Sequence, residues 1–130
     1  MLSGGCECGA VSYRVPYEFE YAMNCHCSRC RAGTGSAFKS VGGIRREKLE
    51  ITAGGDNLLV WPEPEMGHIR CGVCGGFLYS VVRKGQYVHL GLGTLADAPS
   101  IRPSAHIYVG SKAPWFEITD DLPQYQELPG

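Results

Sequence analysis

Apolar and polar positions along this chain alternate in short bursts rather than recurring every three or four residues. A period of two places successive side chains on opposite faces of a strand. The alternation predicts strands at about residues 10–15, 37–42, 48–52, 57–61, 68–71, 77–82, 87–92 and 105–109. Turn-forming residues separate them: Gly42-Gly43, Gly54-Gly55, Pro62 and Pro64, Gly75-Gly76, Gly85, and Pro99 through Pro103. A helical start is expected only near Ser28, which stands in a capping position, with Gly33 and Gly35 ending that turn early. The expected fold class is therefore mainly β, short antiparallel sheets with minimal helix. A sandwich or barrel fits these strands as well as any rarer arrangement.

Length adds one constraint: 130 residues without a repeat, linker or low-complexity tract are expected to form a single domain over 1–130. Hydrophobic residues make up 44% of the chain, enough for a core, and 18 glycines with 8 prolines suit many tight turns. Charge changes the list of partners. Twelve Lys+Arg against 13 Asp+Glu leave no basic excess to hold phosphates, so nucleic acid is not expected. The opening MLSGGCECGA has neither a basic n-region nor an apolar h-region, so no signal peptide is expected. No window approaches the roughly 18 apolar residues of a membrane span, so no membrane partner is expected either. The expected location is the reducing cytoplasm, where structural disulfides are rare.

The cysteines carry the chemistry. Seven of them fall in three groups: Cys6 and Cys8 in GGCECG, Cys25, Cys27 and Cys30 in NCHCSRC, Cys71 and Cys74 in CGVCGG. An odd count leaves a thiol over in any disulfide scheme, and tight clusters beside glycine are metal-ligand spacing. Two residues apart on a strand, CxC side chains share a face and can bite one ion. A CxxC turn aims backbone N–H groups at its two sulfurs. Four thiolates close a tetrahedral zinc, whereas three leave a position for water or substrate. Cys25, Cys27 and Cys30 lie within six residues and suit one ion; Cys6, Cys8, Cys71 and Cys74 then form a closed second site. A rival partition joins Cys27 and Cys30 to Cys71 and Cys74 in a zinc-ribbon-like site and leaves Cys6, Cys8 and Cys25 over.

Neighbouring residues have two readings each. His26 stands between two candidate ligands and faces away from them on a strand, toward a supporting or substrate-facing role. Arg29 and Arg31 flank Cys30 as surface charges or as partners of thiolate or substrate carboxylate. Gly33, Gly35 and Ser36 offer backbone N–H groups to an anion or merely turn the chain. His68, His89 and His106 read as packed or surface residues, Asp97, Asp120 and Asp121 as turn residues. Trp115 and Phe116 read as caps on the core or, as the lesser reading, as a wall of the substrate pocket.

These motifs resemble the glutathione-dependent formaldehyde-activating enzyme family, also described as the centromere-protein-V domain. GGCECGAVSYRV at 4–15 is similar to its opening strand, NCHCSRCRAGTGSAF at 24–38 to its central zinc motif, and RCGVCGGFLY at 70–79 to its CxxCG segment. Gly93, Thr94 and Leu95, then Pro103, His106, Ile107 and Tyr108, SKAPWFEI at 111–118 and DDLPQY at 120–125 extend the likeness toward the C-terminus. The chain departs from it at Ala32, where many members continue a basic run. The resemblance implies a β-tent fold with two zinc ions per chain, a structural one on Cys6, Cys8, Cys71 and Cys74 and a catalytic one on Cys25, Cys27 and Cys30. It implies a carbon–sulfur lyase that joins a small thiol, glutathione, to formaldehyde as S-(hydroxymethyl)glutathione, or cleaves that adduct. The alternative is a non-catalytic zinc-binding module for protein interaction, since centromere-protein-V-like members act as chromatin-associated proteins.

Overall fold

Ten strands and one short helix make up the computed structural model, which describes residues 1–129. Gly130, the last residue of the expected domain, lies outside the described residues. In chain order the elements are β1 (Leu2–Gly5), β2 (Ser12–Val15), β3 (Tyr21–Cys25), α1 (Ser28–Thr34), β4 (Lys39–Arg45), β5 (Glu50–Ala53), β6 (Leu58–Trp61), β7 (His68–Cys71), β8 (Phe77–Val82), β9 (Tyr87–Gly91) and β10 (His106–Ile107). The mainly β class is as the alternation predicts. A three-stranded sheet runs β1-β2-β5, and a seven-stranded sheet runs β10-β3-β4-β9-β8-β7-β6. Pairings are antiparallel except one. β10 lies parallel to β3, through His106↔Asn24 and Ile107↔Cys25, so the sheets are not wholly antiparallel.

Register divides the large sheet into two unlike faces. Cross-strand partners share a face, and the pairs Cys25↔Lys39, Met23↔Val41, Gly43↔His89, Ser80↔His89 and His68↔Ser80 place Met23, Cys25, Lys39, Val41, His89, Ser80 and His68 on one side. The opposite side presents Ile44, Val88, Leu90, Tyr79, Val81, Ile69 and Cys71. There they join Leu2, Val11, Tyr13 and Val15 from the small sheet in the principal core. β2 shows why the small sheet docks there: Tyr13 and Val15 are buried while Arg14 between them is exposed and pairs with Glu50. One face of the large sheet is thus packed, and the other is left to carry a cleft.

Two expectations change at this level. The capping residue of α1 is Cys27, not Ser28: its sulfur accepts from the Cys30 N–H, and Gly35 at φ 66° ends the helix in the left-handed conformation. Trp115 does not cap the core; it is 70% exposed. Its neighbour Phe116 packs on Phe38 and His26. Among the described residues, no helix is long and apolar enough to cross a membrane.

Candidate metal centres

The chain brings its seven thiols together in two groups. Sulfurs of Cys6, Cys8, Cys71 and Cys74 lie within 4.8 Å of one another, as do those of Cys25, Cys27 and Cys30. Cys27 and Cys30 do not join Cys71 and Cys74, as the zinc-ribbon partition requires.

The four-sulfur group joins the two sheets. Cys6 and Cys8 sit in the turn between β1 and β2 rather than on a strand, and Gly9 at φ 81° permits that turn. Cys71 ends β7 on its core face, and the turn after it folds back through Gly75 N–H to Cys71 C=O at 2.8 Å. Three backbone N–H groups point at sulfur: Val11 to Cys6 at 3.2 Å, Val73 to Cys71 at 3.3 Å and Cys74 to Cys71 at 3.4 Å. Such donors stabilise thiolates. The Cys6 thiol is lowered to about 6, first by the Val11 N–H and then, against the opposing effect of burial, by the neighbouring sulfurs. Sulfur separations test the fit to a metal. A tetrahedral ion bonded at about 2.3 Å holds its sulfurs about 3.8 Å apart, and here Cys6–Cys8 is 3.6 Å and Cys8–Cys71 is 3.8 Å. The residues fit the group.

The three-sulfur cluster is assembled from one strand end and one helix turn. Cys25 closes β3, Cys27 caps α1, and Cys30 lies three positions further on, over the same helical face. Cys25 and Cys30 are buried, and among the described residues no fourth Cys, His, Asp or Glu joins them. The Cys30 thiol is held down to about 6, chiefly because Cys25 donates a hydrogen bond to its sulfur, with further help from the Lys39 charge. Cys25 is pushed up in turn, as the donor of that bond and by burial. Three sulfurs this close share protons as a unit, and a divalent cation would displace all of them.

A cleft of about 280 Å³ opens beside Cys25 and Cys30 on the polar face of the large sheet. Its walls include Met23, Val41, Arg29, Lys39, His68, Ser80 and His89, with no carboxylate lining it among the described residues. Arg29 and His68 also border an adjoining hollow with Trp61 and Arg70. Of the arginines flanking Cys30, Arg29 faces the cleft, whereas Arg31 donates to the Ser111 carbonyl at 3.1 Å. Gly33 presents its carbonyl, not its N–H, to the Arg70 guanidinium. His68 and His89 thus face the cleft instead of merely packing.

His26 is fully buried on the far side of the cluster from the cleft lining. Its Nε2 lies 2.8 Å from Nδ1 of His106, whose Nε2 lies 2.9 Å from the Asp120 carboxylate. Asp120 is therefore more than a turn residue. It anchors a buried pair of rings behind the Cys25-His26-Cys27 segment. Lys39 escaped the sequence reading altogether, because a lone lysine in a strand pattern looks like a solvated charge.

Fold and site together define a class: a mainly β protein with one closed four-sulfur cluster and one three-sulfur cluster opening on a cleft. The family model described as glutathione-dependent formaldehyde-activating enzyme matches residues 1–111, and the chain belongs to that family. A Podospora anserina protein bearing that enzyme's name is 32% identical over 82 residues, 61% of this chain and 38% of its own length. A Fusarium vanettenii protein of the same name is 32% identical over 89 residues, 64% of this chain and 48% of its own. The chain therefore spans less than half the length of these curated relatives. A Rhodobacter sphaeroides protein of known crystal structure superposes with a TM-score of 0.62 at 25% identity, covering 75% of this chain and 91% of that one.

Proposed function

We propose that the chain is a zinc-dependent carbon–sulfur lyase-type enzyme, forming or cleaving the adduct of a small thiol with a small aldehyde. S-(hydroxymethyl)glutathione is the adduct to which the relatives' name points. In this reading Cys25, Cys27 and Cys30 hold the reactive zinc, and Cys6, Cys8, Cys71 and Cys74 hold the structural one. Two clusters of unpaired thiols require a reducing compartment such as the cytoplasm.

One observation carries the proposal. Three convergent sulfurs lack a fourth protein ligand among the described residues and open on a cleft large enough for a small molecule. A zinc on three thiolates supplies an acidified thiol when one binds, and soft sulfur suits that set. The rest falls to the chain's own side chains. Met23, Val41 and Ile107 make part of the cleft apolar and limit water. Arg29 at the rim, with no acidic partner there, is placed for a substrate carboxylate. Lys39 and Ser80 form the cleft wall that an aldehyde oxygen would meet.

A second reading, a non-catalytic zinc module for protein interaction, draws on one feature. The edge strand β6 exposes Leu59 (54%) and Trp61 (65%), with Met66 (67%) nearby. One experiment separates the two. Titration calorimetry of the zinc-loaded protein with glutathione should show binding that weakens at least about tenfold in Cys27→Ser, as loss of one of three ligands requires. Cobalt substitution should show sulfur charge-transfer bands that change on adding thiol. A folded Cys27→Ser protein with unaltered thiol affinity would favour the interaction module.

A further inference from the structure

Lys39 is a buried cation with no carboxylate partner among the described residues, and its charge helps hold the Cys30 thiol low. It is 8% exposed, and none of the ion pairs among the described residues includes it. Burying a charge is costly unless something compensates it. What Lys39 touches is only partial compensation. Its Nζ donates to Ser80 Oγ at 3.2 Å and lies 4.5 Å from the centre of the Phe77 ring. Ser80 Oγ is held in turn by His68 Nδ1 at 3.0 Å. The ammonium is therefore fixed in place between Ser80, the Phe77 ring and the Cys30 side of the three-sulfur cluster, where it reaches whatever oxygen enters the cleft. Register says where that oxygen sits. Lys39 is the direct cross-strand partner of Cys25, so its side chain leaves the sheet on the same face as the three-sulfur cluster. Both line the cleft, which among the described residues offers Lys39 no carboxylate.

We propose that Lys39 is a catalytic residue that receives the charge developing on the carbonyl oxygen and protonates it as the carbon–sulfur bond forms. The assignment rests on the thiol–aldehyde reading above. In the forming direction the thiol has lost its proton to solvent, and its sulfur attacks the carbonyl carbon. The C–S bond forms as the C=O π bond breaks, and that electron pair moves to oxygen. Lys39 Nζ–H gives its proton to this oxygen, leaving a hydroxyl on the adduct and a neutral amine that water reprotonates. In cleavage the amine takes the hydroxyl proton, the C=O π bond re-forms, and the C–S pair returns to sulfur. A preplaced donor of this kind in a partly dry site is worth about 10²–10³ in rate. Ser80 and His68 act as positioning residues, keeping the ammonium pointed into the cleft.

The test uses the zinc-loaded full chain and two probes that differ in one atom group. Thioacetate carries the same S–C–O connectivity as the adduct, with charge shared onto oxygen; ethanethiol offers sulfur alone. In Lys39→Met, an apolar isostere that keeps the stem against Phe77, calorimetry should show thioacetate weakened at least about tenfold and ethanethiol changed less than about twofold. Exchange between thiol, aldehyde and adduct, followed by NMR, should slow about 100-fold in the same variant. Zinc content and far-UV dichroism matching the unsubstituted chain establish that the site is intact. Lys39→Gln, polar but uncharged, should behave alike if methionine disturbs folding. Equal weakening of both probes would mean that Lys39 only balances thiolate charge, and no weakening of either would mean that it does not face the ligand; each overturns the assignment. An unsubstituted protein that exchanges no adduct sinks the lyase reading alone, while selective loss of thioacetate still supports an oxygen-facing Lys39.

Discussion

His89 stands in the middle of the cleft face with its imidazole largely out of water. Burial first, then the nearby Lys39 and Arg83 charges, lowers its pKa to about 4. A neutral ring suits the position, because Nε2 meets the Tyr21 hydroxyl at 2.7 Å and a second cation beside Lys39 would be repelled. The consequence for stability has a definite sign. The unfolded chain protonates this histidine below about 6.5 and the folded chain only below about 4, so in that window the unfolded state binds more protons. Stability is therefore full above pH 6.5 and falls as pH drops toward 4. The shift corresponds to about 3 kcal/mol at most. Comparison of urea unfolding for the zinc-loaded protein and His89→Gln should show their stability difference moving in the variant's favour by up to that amount between pH 7 and 4.5. A difference independent of pH would place the titration elsewhere. None of this was legible in the sequence. Cysteine spacing announces metal sites because each spacing is a geometry, but His89, His106 and Lys39 acquire meaning only from what lies opposite them. Asp120 looked like a turn residue for the same reason: its partner is 14 positions away, on another element.

Strands read from alternation succeed where one face is packed and the breaks are sharp. The predicted 68–71 and 77–82 coincide with β7 and β8, each bounded by glycine or a cysteine turn. Alternation fails where both faces are covered. β3 escaped because Ala22 and Asn24 are buried on one side while Cys25 is buried on the other, so YAMNC shows no polar face. β1 escaped because half of LSGG is glycine. The strand expected over 105–109 shrinks to two residues because Tyr108 turns at φ 55°. In β4 the Gly42-Gly43 pair looked like a break, yet it lies within the strand. Gly43 sits between Tyr21 on β3 and His89 on β9, and a Cβ there would run into the Tyr21 ring. The bare glycine lets Tyr21 lie across it and reach His89, the rings meeting edge to face at 5.5 Å. Gly43→Ala should therefore displace the tyrosine and cost about 1–3 kcal/mol by overpacking. Equilibrium urea unfolding measures it. An alanine variant as stable as the unsubstituted chain would mean that the ring moves aside freely.

At the scale of the whole molecule, the two sulfur clusters lie on opposite sides of the seven-stranded sheet and do different mechanical work. Cys71 belongs to the packed core face, where it meets Cys6 and Cys8 from the turn of the small sheet. In the proposed two-zinc reading an ion there would tie the small sheet to the large one, and Cys8 and Cys71 are 63 positions apart in sequence. Structural zinc contributes about 10–16 kcal/mol of apparent binding energy, against a net domain stability of about 5–15 kcal/mol. Its loss should take the fold with it. The trio on the cleft face holds together differently. Cys25 lies in a strand paired on both sides, and Cys27 and Cys30 lie on a helix turn closed by its own backbone bonds. That segment should keep its shape without an ion. Titration with a chelator that reports zinc should accordingly release metal in two steps: the first without change in far-UV dichroism, the second together with unfolding. Cys27→Ser should lack the first step and retain the second, whereas Cys71→Ser should be unfolded or greatly weakened from the outset. Release of both ions in a single step, coincident with loss of the sheets, would mean that the two clusters share one mechanical role and that the cleft-side metal is structural as well.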